Sequence, residues 1–261
     1  MTVKAAVNEW VAEATRLILL GTVHGDPRGF RRLHLFLEIH QPDLILIELS
    51  PFGWAFRKVN RAELNRTLVE HLRPAAKAAG YTWHRALAHP EIQAIRRQIA
   101  LPFEFRASRR YAQTHNKRIL PIDRSDFSQA LVASWPDLLS TPNLAYLLTI
   151  PPSRQRHAVE EQYRRAHTLL RTPPGRVGRV RSTTECAEEV AWQKRERSLA
   201  ERVREAILAV APPSCVYVGG WEHLSNRDNP KSLRRLLGMP ATPCYLLDDY
   251  GPRAVTRQHT A

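Results

Sequence analysis

Cysteines are few in this chain, and long apolar runs are missing. The 261 residues include three cysteines, none of them in a CxxC pair. Such a sparse, odd set argues against a disulfide framework and a thiolate zinc site, and it is typical of a reducing cytoplasm. The longest apolar runs, such as Leu17–Leu20, are of strand length, far below the ~20 residues of a membrane helix. We therefore expect a cytoplasmic protein without a signal peptide or a transmembrane segment.

Acidic residues are scarce relative to basic ones. The chain carries 39 Lys and Arg against 25 Asp and Glu, a formal charge of +14, and residues 51–130 alone hold 15 basic and 6 acidic side chains, a net +9. A field of this sign attracts acidic peptides, phosphates, nucleic acid or an anionic membrane surface. Because no nucleic-acid motif is present and the basic residues lack interleaved aromatic platforms, we do not expect a nucleic-acid ligand. A solvated basic surface without any ligand is the alternative interpretation.

The N-terminal part of the chain predicts a strand–helix–strand unit. Its 43% hydrophobic content and mean hydropathy of −0.39 are typical of a globular protein. A strand is predicted over 16–23, followed by a helix with Phe30, Leu33 and Leu37 on one face and a second strand over 44–49. Because both strands are continuously apolar, we expect a mostly parallel sheet with helices on both faces, which is an α/β fold.

The C-terminal part of the chain repeats this plan. A strand is predicted over 215–218, a helix around 231–237 and a last strand over 244–247. We interpret the two units, 16–53 and 212–250, as an imperfect internal duplication.

A largely helical insertion, residues 54–211, separates the two units and completes a single domain over 1–261. Four further elements are predicted from periodicity and from Pro/Gly content: a helix over 3–14, a strand over 118–122, an exposed loop over 171–181 and a long helix over 184–210.

Polar side chains follow the predicted strands. In open parallel sheets the strands end at one edge, where ligands bind. Imidazole and carboxylate groups are the ligands of hydrolytic divalent-metal sites, with Zn, Mn or Co as the ion. A glycine lies three residues before His24 and before His223, and we expect it to let the backbone turn sharply. The strand-end residues are His24, Glu48, Asp123, Arg124, His223, and Asp248 or Asp249.

Spacing strengthens the prediction of a shared cleft at this edge. Glu48 follows His24 by 24 residues, and Asp248 follows His223 by 25. The other nine histidines, His167 among them, show no ligand-like spacing, and we assign them no role.

Five blocks of sequence resemble the TraB/PrgY (pheromone-shutdown) family, which has the TIKI and GumN proteins as wider relatives and erythromycin esterase and ChaN on a related scaffold. Together they span most of the chain, and their order matches that of the family. The blocks are LLGTVH over 19–24, PDLILIEL over 42–49, PFEFRA over 102–107 with ILPIDR over 119–124, ERSLA over 196–200, and VYVGGWEHL over 216–224.

The resemblance implies a functional site and a chemistry. Its TIKI relatives are described as metal-dependent peptidases that use two GxxH motifs and a glutamate and favour Mn or Co. By that likeness, His24, Glu48 and His223 hold the metal in this chain. Glu104, Arg124 and Glu196 are the nearby candidates that the likeness adds.

This chain departs from the family's pattern at three places. Trp221 and Glu222 stand where the second GxxH block usually has small residues, which narrows the pocket or adds a carboxylate. The Asp123–Arg124 pair lacks the glycine that normally precedes it. In the family an arginine commonly follows the Glu-Leu pair closely, whereas the nearest one after Glu48 is Arg57, nine residues later. Arg57 is therefore a weaker candidate for substrate binding.

These observations predict a metal-dependent hydrolase of peptide or related amide bonds. In this prediction Glu48, Glu104 and Glu196 supply the catalytic carboxylates, one of the last two as general base, and Arg124 orients a peptide or small anionic substrate. The alternative from another class is a non-catalytic protein that sequesters an acidic peptide or anionic ligand in the same cleft.

Structural alternatives also exist for three residues. For Glu48 the alternative is a purely structural ion pair with Arg124. For Glu196 it is a place on a solvated helix face. For Glu104 it is a place at the start of a helix over 106–115, where an acidic side chain interacts favourably with the helix dipole. The sequence does not indicate an oligomeric state.

Overall fold

Five parallel strands form the centre of the molecule. The structure, a computed structural model of the chain, describes residues 15–151, 155–171, 183–225, 232–238 and 243–251, without the side chains of 127, 155–158, 171 and 183–189. The strand order is β3-β2-β4-β1-β5, and every neighbouring pair is parallel, which confirms the predicted α/β class. The strands are β1 (Arg16–Thr22), β2 (Leu44–Ile47), β3 (Arg118–Pro121), β4 (Ser214–Gly220) and β5 (Cys244–Leu246).

Helices connect the strands and cover the sheet. Their bounds are α1 (Gly29–His40), α2 (Pro51–Ala78), α3 (Trp83–Ala88), α4 (Pro90–Ile99), α5 (Phe103–His115), α6 (Ser125–Ala133), α7 (Trp135–Leu138), α8 (Thr141–Thr149), α9 (Gln155–Arg171), α10 (Thr183–Val210) and α11 (Leu233–Leu236), with short 3-10 turns at Trp221–Leu224 and Leu247–Asp249. Each predicted strand ends within two residues of its prediction. The helix predicted over 3–14, and the predicted loop beyond Arg171, lie outside the described residues.

Side chains alternate between two cores on the two faces of the sheet. In β1, Ile18 and Leu20 belong to one core, whereas Leu17 and Leu19 belong to the other. Helices α1, α5 and α9 cover the first face, and helices α10 and α11 cover the second. The continuously apolar strands therefore occur because both faces are buried.

The strand order is symmetric about the β1–β4 pair. Exchanging β1 with β4, and β2 with β5, turns the order β2-β4-β1-β5 into its own reverse, and β3 alone has no counterpart among the described strands. The connecting helices obey the same symmetry, because α1 covers one face and α11 the other. A two-fold axis along the strands swaps the faces and keeps the strand direction. This arrangement supports the interpretation of an internal duplication.

The insertion divides into two parts. Helices α5, α9 and α10 pack on the sheet, whereas α2, α3, α4, α7 and α8 surround a third core that contains Leu72, Ile92 and Leu144. Within the described ranges, none of the helices is both long enough and apolar enough to cross a membrane.

The start of α1 lies against an aromatic ring with no room for a side chain. A Cβ on Gly29 would stand less than 3.0 Å from three ring atoms of Phe103. We expect Gly29→Ala to lower the free energy of unfolding by about 1–3 kcal/mol, because overpacking at a buried ring outweighs alanine's better helix propensity. Urea unfolding followed by circular dichroism measures this change in the free energy of unfolding. Gly251→Ala, where a Cβ would meet nothing within 4 Å, is the matched control and should leave stability nearly unchanged.

Candidate functional site

The carboxyl ends of the central strands bring His24, Glu48 and His223 to one edge of the sheet. Thr22 at the end of β1 pairs with Gly220 at the end of β4, so the residues that follow each strand emerge side by side. The backbone N–H of Glu48 still donates to Val218 O of β4 at 3.0 Å. Parallel pairing therefore places the two GxxH segments and the Glu48 strand end together.

His24 is anchored from behind by a buried carboxylate. Its Nδ1 lies 2.9 Å from Glu104 Oε1, and Thr22 Oγ1 donates to the same oxygen at 3.1 Å. Glu104 comes from the first turn of α5 and is buried, whereas the side chain of His24 is 59% exposed. Because Nδ1 is held by Glu104, the Nε2 atom of His24 points away from the core.

His223 is anchored in the same way from the opposite face. Its Nδ1 lies 2.5 Å from Glu196 Oε1, and the other oxygen of Glu196 accepts from the backbone N–H of Leu233 at 2.5 Å. Glu196 on α10 is fully buried, which excludes the alternative of a solvated helix face. Trp192, one turn before Glu196, stacks on the imidazole with ring centroids 4.8 Å apart. The Nδ1 atom of each histidine is thus held by a glutamate from a helix on one face of the sheet, and the two helices lie on opposite faces.

Glu48 is the charge centre of the site. Its Oε1 accepts from Arg195 Nη2 at 2.6 Å and lies 3.0 Å from His223 Nε2. Its Oε2 accepts from the backbone N–H of Gly220 at 2.6 Å and lies 3.4 Å from the hydroxyl of Tyr217. The side chain is only 4% exposed, so it is buried but fully paired.

Arg195 links this centre to a second carboxylate. Its Nη2 also donates to Asp123 Oδ2 at 2.7 Å, and its Nε donates to Asp123 Oδ1 at 3.2 Å. Asp123 lies two residues after the end of β3, so the guanidinium on α10 bridges the ends of β2 and β3. The edge of the sheet is therefore tied together by ionic hydrogen bonds.

The glycines after β4 allow the close approach of Glu48. A Cβ on Gly219 would lie 2.6 Å from Glu48 Oε2, so any other residue there would displace the carboxylate. The chain turns from β4 into the 3-10 turn at Gly220, but its φ of −56° is one that any residue adopts, so the turn does not depend on glycine's conformational freedom. What Gly220 provides is space.

Three charged groups meet at that space. A Cβ on Gly220 would lie 3.1 Å from Glu222 Oε2, 3.4 Å from His24 Nε2 and 3.5 Å from Glu48 Oε2. Glu222 is exposed, so it adds a solvent-accessible carboxylate to the site. Trp221, by contrast, packs into the core below the edge.

The carboxylates raise the pKa of both imidazoles. Burial acts to lower the pKa of His223, but Glu48 and Glu196 outweigh it and raise the pKa from 6.5 to about 10. The protein around His24 also acts to lower its pKa, and Glu104, Glu48 and Glu222 raise it to about 9. Burial acts to raise the pKa of Glu48, yet His223, His24 and Arg195 hold it well below its ordinary 4.5. At neutral pH, His24 and His223 are therefore imidazolium ions and Glu48 is a carboxylate.

The surroundings of the two imidazoles resemble those of metal-binding histidines. Metal-binding histidines commonly donate their second ring nitrogen to a carboxylate, which fixes the ring and makes the ligand more basic. Glu104 and Glu196 occupy that position. A metal bound by these imidazoles would displace their protons, so its affinity would rise with pH.

The ligand atoms of His24, Glu48 and His223 lie farther apart than those of another group of metal-ligating side chains. Within the described residues, one set of three His, Cys, Asp or Glu side chains has ligand atoms that all lie within 4.8 Å of one another, and it is His167, Asp248 and Asp249. That group could hold a metal ion. It lies at the end of β5, and our assignment of no role to His167 overlooked it.

The two predicted arginines bond to groups outside the set of His24, Glu48 and His223. The guanidinium of Arg124 pairs with Asp126, so the predicted structural pair of Glu48 with Arg124 is wrong and Arg195 is the partner of Glu48. Arg57 donates to the carbonyl oxygens of Gln98 and Gly53, at 2.9 and 3.1 Å. Their predicted roles in substrate binding stay predictions.

Sequence reasoning missed Arg195, and it named Asp123 as a strand-end residue and Glu222 as an added carboxylate without giving either a chemical role. Arg195 directly precedes the predicted Glu196, and Asp123 directly precedes the predicted Arg124. Their position next to a predicted site residue was the one signal that the sequence offered, and it does not tell which of two neighbouring residues faces the site. The helix expected to begin at Arg106 begins at Phe103, so Glu104 is inside its first turn.

Comparisons with protein-family models, with curated proteins and with solved structures find no significant match to this chain. The resemblance to the TraB/PrgY family therefore stays a prediction, and the function must be argued from the site itself.

Proposed function

We propose that the protein is a metal-dependent hydrolase of peptide or related amide bonds, with His24, Glu48 and His223 as the metal ligands. The observation that carries this proposal is the matched pair of anchored imidazoles. Each Nδ1 is held by a buried glutamate, and both Nε2 atoms face the neighbourhood of Glu48. A divalent cation held there, such as Mn, Co or Zn, would polarise a substrate carbonyl and bring the pKa of a water ligand from 15.7 to about 7.

The surrounding carboxylates divide into two roles in this proposal. Glu104 and Glu196 are buried behind the imidazoles and orient them, which favours a positioning role over the predicted role of general base. Glu222 is exposed, and its Oε2 lies near His24 Nε2 and Glu48 Oε2. It is the carboxylate best placed to accept a proton from a water molecule at this edge.

Positive side chains near the edge favour a substrate with a negative group, such as the carboxylate of a peptide. Arg97 Nε lies 3.9 Å from the position of a Cβ on Gly25, the residue after His24. Arg124, which follows β3, is the second candidate to contact such a group. Both belong to the segment with a net charge of +9.

One observation favours the second candidate function, a protein that sequesters an anionic ligand without catalysis. Glu48 is already paired directly with His223 and Arg195, a set of ion pairs that is complete without a metal. A purified protein that carries a tight anionic ligand and no stoichiometric metal would support this candidate.

Metal binding and peptide cleavage by matched variants test the proposal. We expect metal-stripped protein to bind Mn²⁺ or Co²⁺ in a calorimetric titration, and the loaded protein to cleave members of a mixed peptide set, as read by mass spectrometry. His24→Ala should lose the cleavage activity and one equivalent of bound metal. His84→Ala removes an exposed histidine on α3 and should keep both. Cleavage by His24→Ala at the wild-type rate would refute the assignment.

A further inference from the structure

A second group of metal-ligating side chains lies at the same edge of the sheet, after β5. His167 Nε2 on α9 lies 3.0 Å from Asp248 Oδ2 and 3.8 Å from Asp249 Oδ1. His167 and Asp248 are half-buried, and Asp249 is more exposed. The group shares no residue with the site at His24, Glu48 and His223.

The spacing of these atoms suits a divalent ion. Ligands at about 2.0–2.2 Å from a tetrahedral metal are separated by about 3.3–3.6 Å. The two distances from His167 Nε2, 3.0 and 3.8 Å, lie on either side of that value. Small side-chain rotations would therefore bring the three atoms around one ion. Since three protein ligands would hold it, a fourth position would remain for water.

The symmetry of the sheet is a separate argument for this position. The exchange of β2 with β5 makes Asp248 the counterpart of Glu48, since each acid follows its strand within two residues. Asp248 lies 3.0 Å from the Nε2 of His167. The same exchange makes His24 the counterpart of His223, so the symmetry accounts for the acid at the end of β5, and His167 is an addition from the insertion.

We propose that His167, Asp248 and Asp249 form a second divalent-metal site, which joins α9 to the carboxyl end of β5. One imidazole nitrogen with two carboxylates is a mixed set that suits Zn²⁺ or Mn²⁺ better than Ca²⁺, which prefers oxygen ligands alone. A bound ion connects two segments that are distant in the chain, and it stabilises the folded protein by an amount that grows with the logarithm of the free ion concentration above Kd.

Zn²⁺ stoichiometry in matched variants of the full chain tests this site separately from the proposed hydrolase site. We expect His167→Ala to bind one equivalent of Zn²⁺ fewer than wild type, whether or not the wild type also binds at His24. The same loss is expected for the double variant Asp248→Asn with Asp249→Asn, which keeps His167. Zn²⁺ should raise the melting temperature of His24→Ala but raise that of His167→Ala less. His84→Ala is the control for binding to surface histidines.

The outcomes separate the two proposals. If wild type binds one equivalent that His167→Ala loses and His24→Ala keeps, the second site stands and the hydrolase site fails. If His167→Ala and the double asparagine variant both keep the stoichiometry of wild type, the second site is refuted, and the hydrolase site is unaffected.

Discussion

Replacing Glu48 by alanine is expected to lower the unfolding free energy of the metal-free protein by about 3–5 kcal/mol. Breaking a buried ion pair by removing one partner leaves the other charge buried without compensation. Here the substitution removes one carboxylate partner from two cations at once, because both His223 and Arg195 contact Glu48 Oε1, and it leaves them Glu196 and Asp123. It also removes the acceptor of the Gly220 N–H.

Urea unfolding in the presence of a chelator measures this loss. Glu70→Ala removes an exposed glutamate from α2 and is the matched control, with an expected change within about 0.5 kcal/mol. A loss of less than 1 kcal/mol in Glu48→Ala would mean that the network at the sheet edge is not formed in solution.

The same loss has a defined pH dependence. The pKa of Glu48 is held below its ordinary 4.5, so its contribution is complete above that pH and is lost as the pH falls. The pKa of His223 is raised from 6.5 to about 10, so its contribution is complete below 6.5 and is lost as the pH rises toward 10. The difference between wild type and Glu48→Ala should therefore be largest between about pH 4.5 and 6.5 and clearly smaller at pH 10.

Glu196→Gln is expected to weaken metal binding about 10–100-fold, although the residue touches no metal. Losing the carboxylate partner of a metal-binding histidine typically has this effect, because the ring loses its fixed tautomer and part of its basicity. The glutamine side chain cannot accept from both His223 Nδ1 and the Leu233 N–H without turning a donor toward one of them.

Calorimetric titration with Mn²⁺ at fixed pH measures the change in affinity. Glu201→Gln, at an exposed position on the same helix, should bind like wild type. Glu104→Gln should weaken binding in the same way through His24. Wild-type affinity in Glu196→Gln would show that His223 is not a metal ligand.

The fold and the strand-end residues were predictable because they depend on local patterns. Continuously apolar segments of strand length predict buried parallel strands, and parallel strands end at one edge. His24, Glu48 and His223 each follow such a segment closely, so their meeting required no knowledge of side-chain packing. The predicted α/β class and the positions of all five strands are confirmed for that reason.

The partners of these residues were not predictable, because they depend on which helix covers which face. The sequence around Arg195 does not differ from that around Arg124 in any way that would predict a contact with Glu48. Arg195 is the partner because α10 passes over the ends of β2 and β3. His167 is a similar case. Its place on α9 follows from helical periodicity, but its proximity to Asp248 depends on the docking of α9 against β5.

Anomalous scattering from crystals of the cobalt-loaded protein tests the central claim most directly. The proposal predicts an anomalous peak about 2.0–2.2 Å from Nε2 of His24, Nε2 of His223 and a carboxylate oxygen of Glu48. The absence of a peak at this edge, with His223 Nε2 still bonded directly to Glu48 at saturating cobalt, would contradict it.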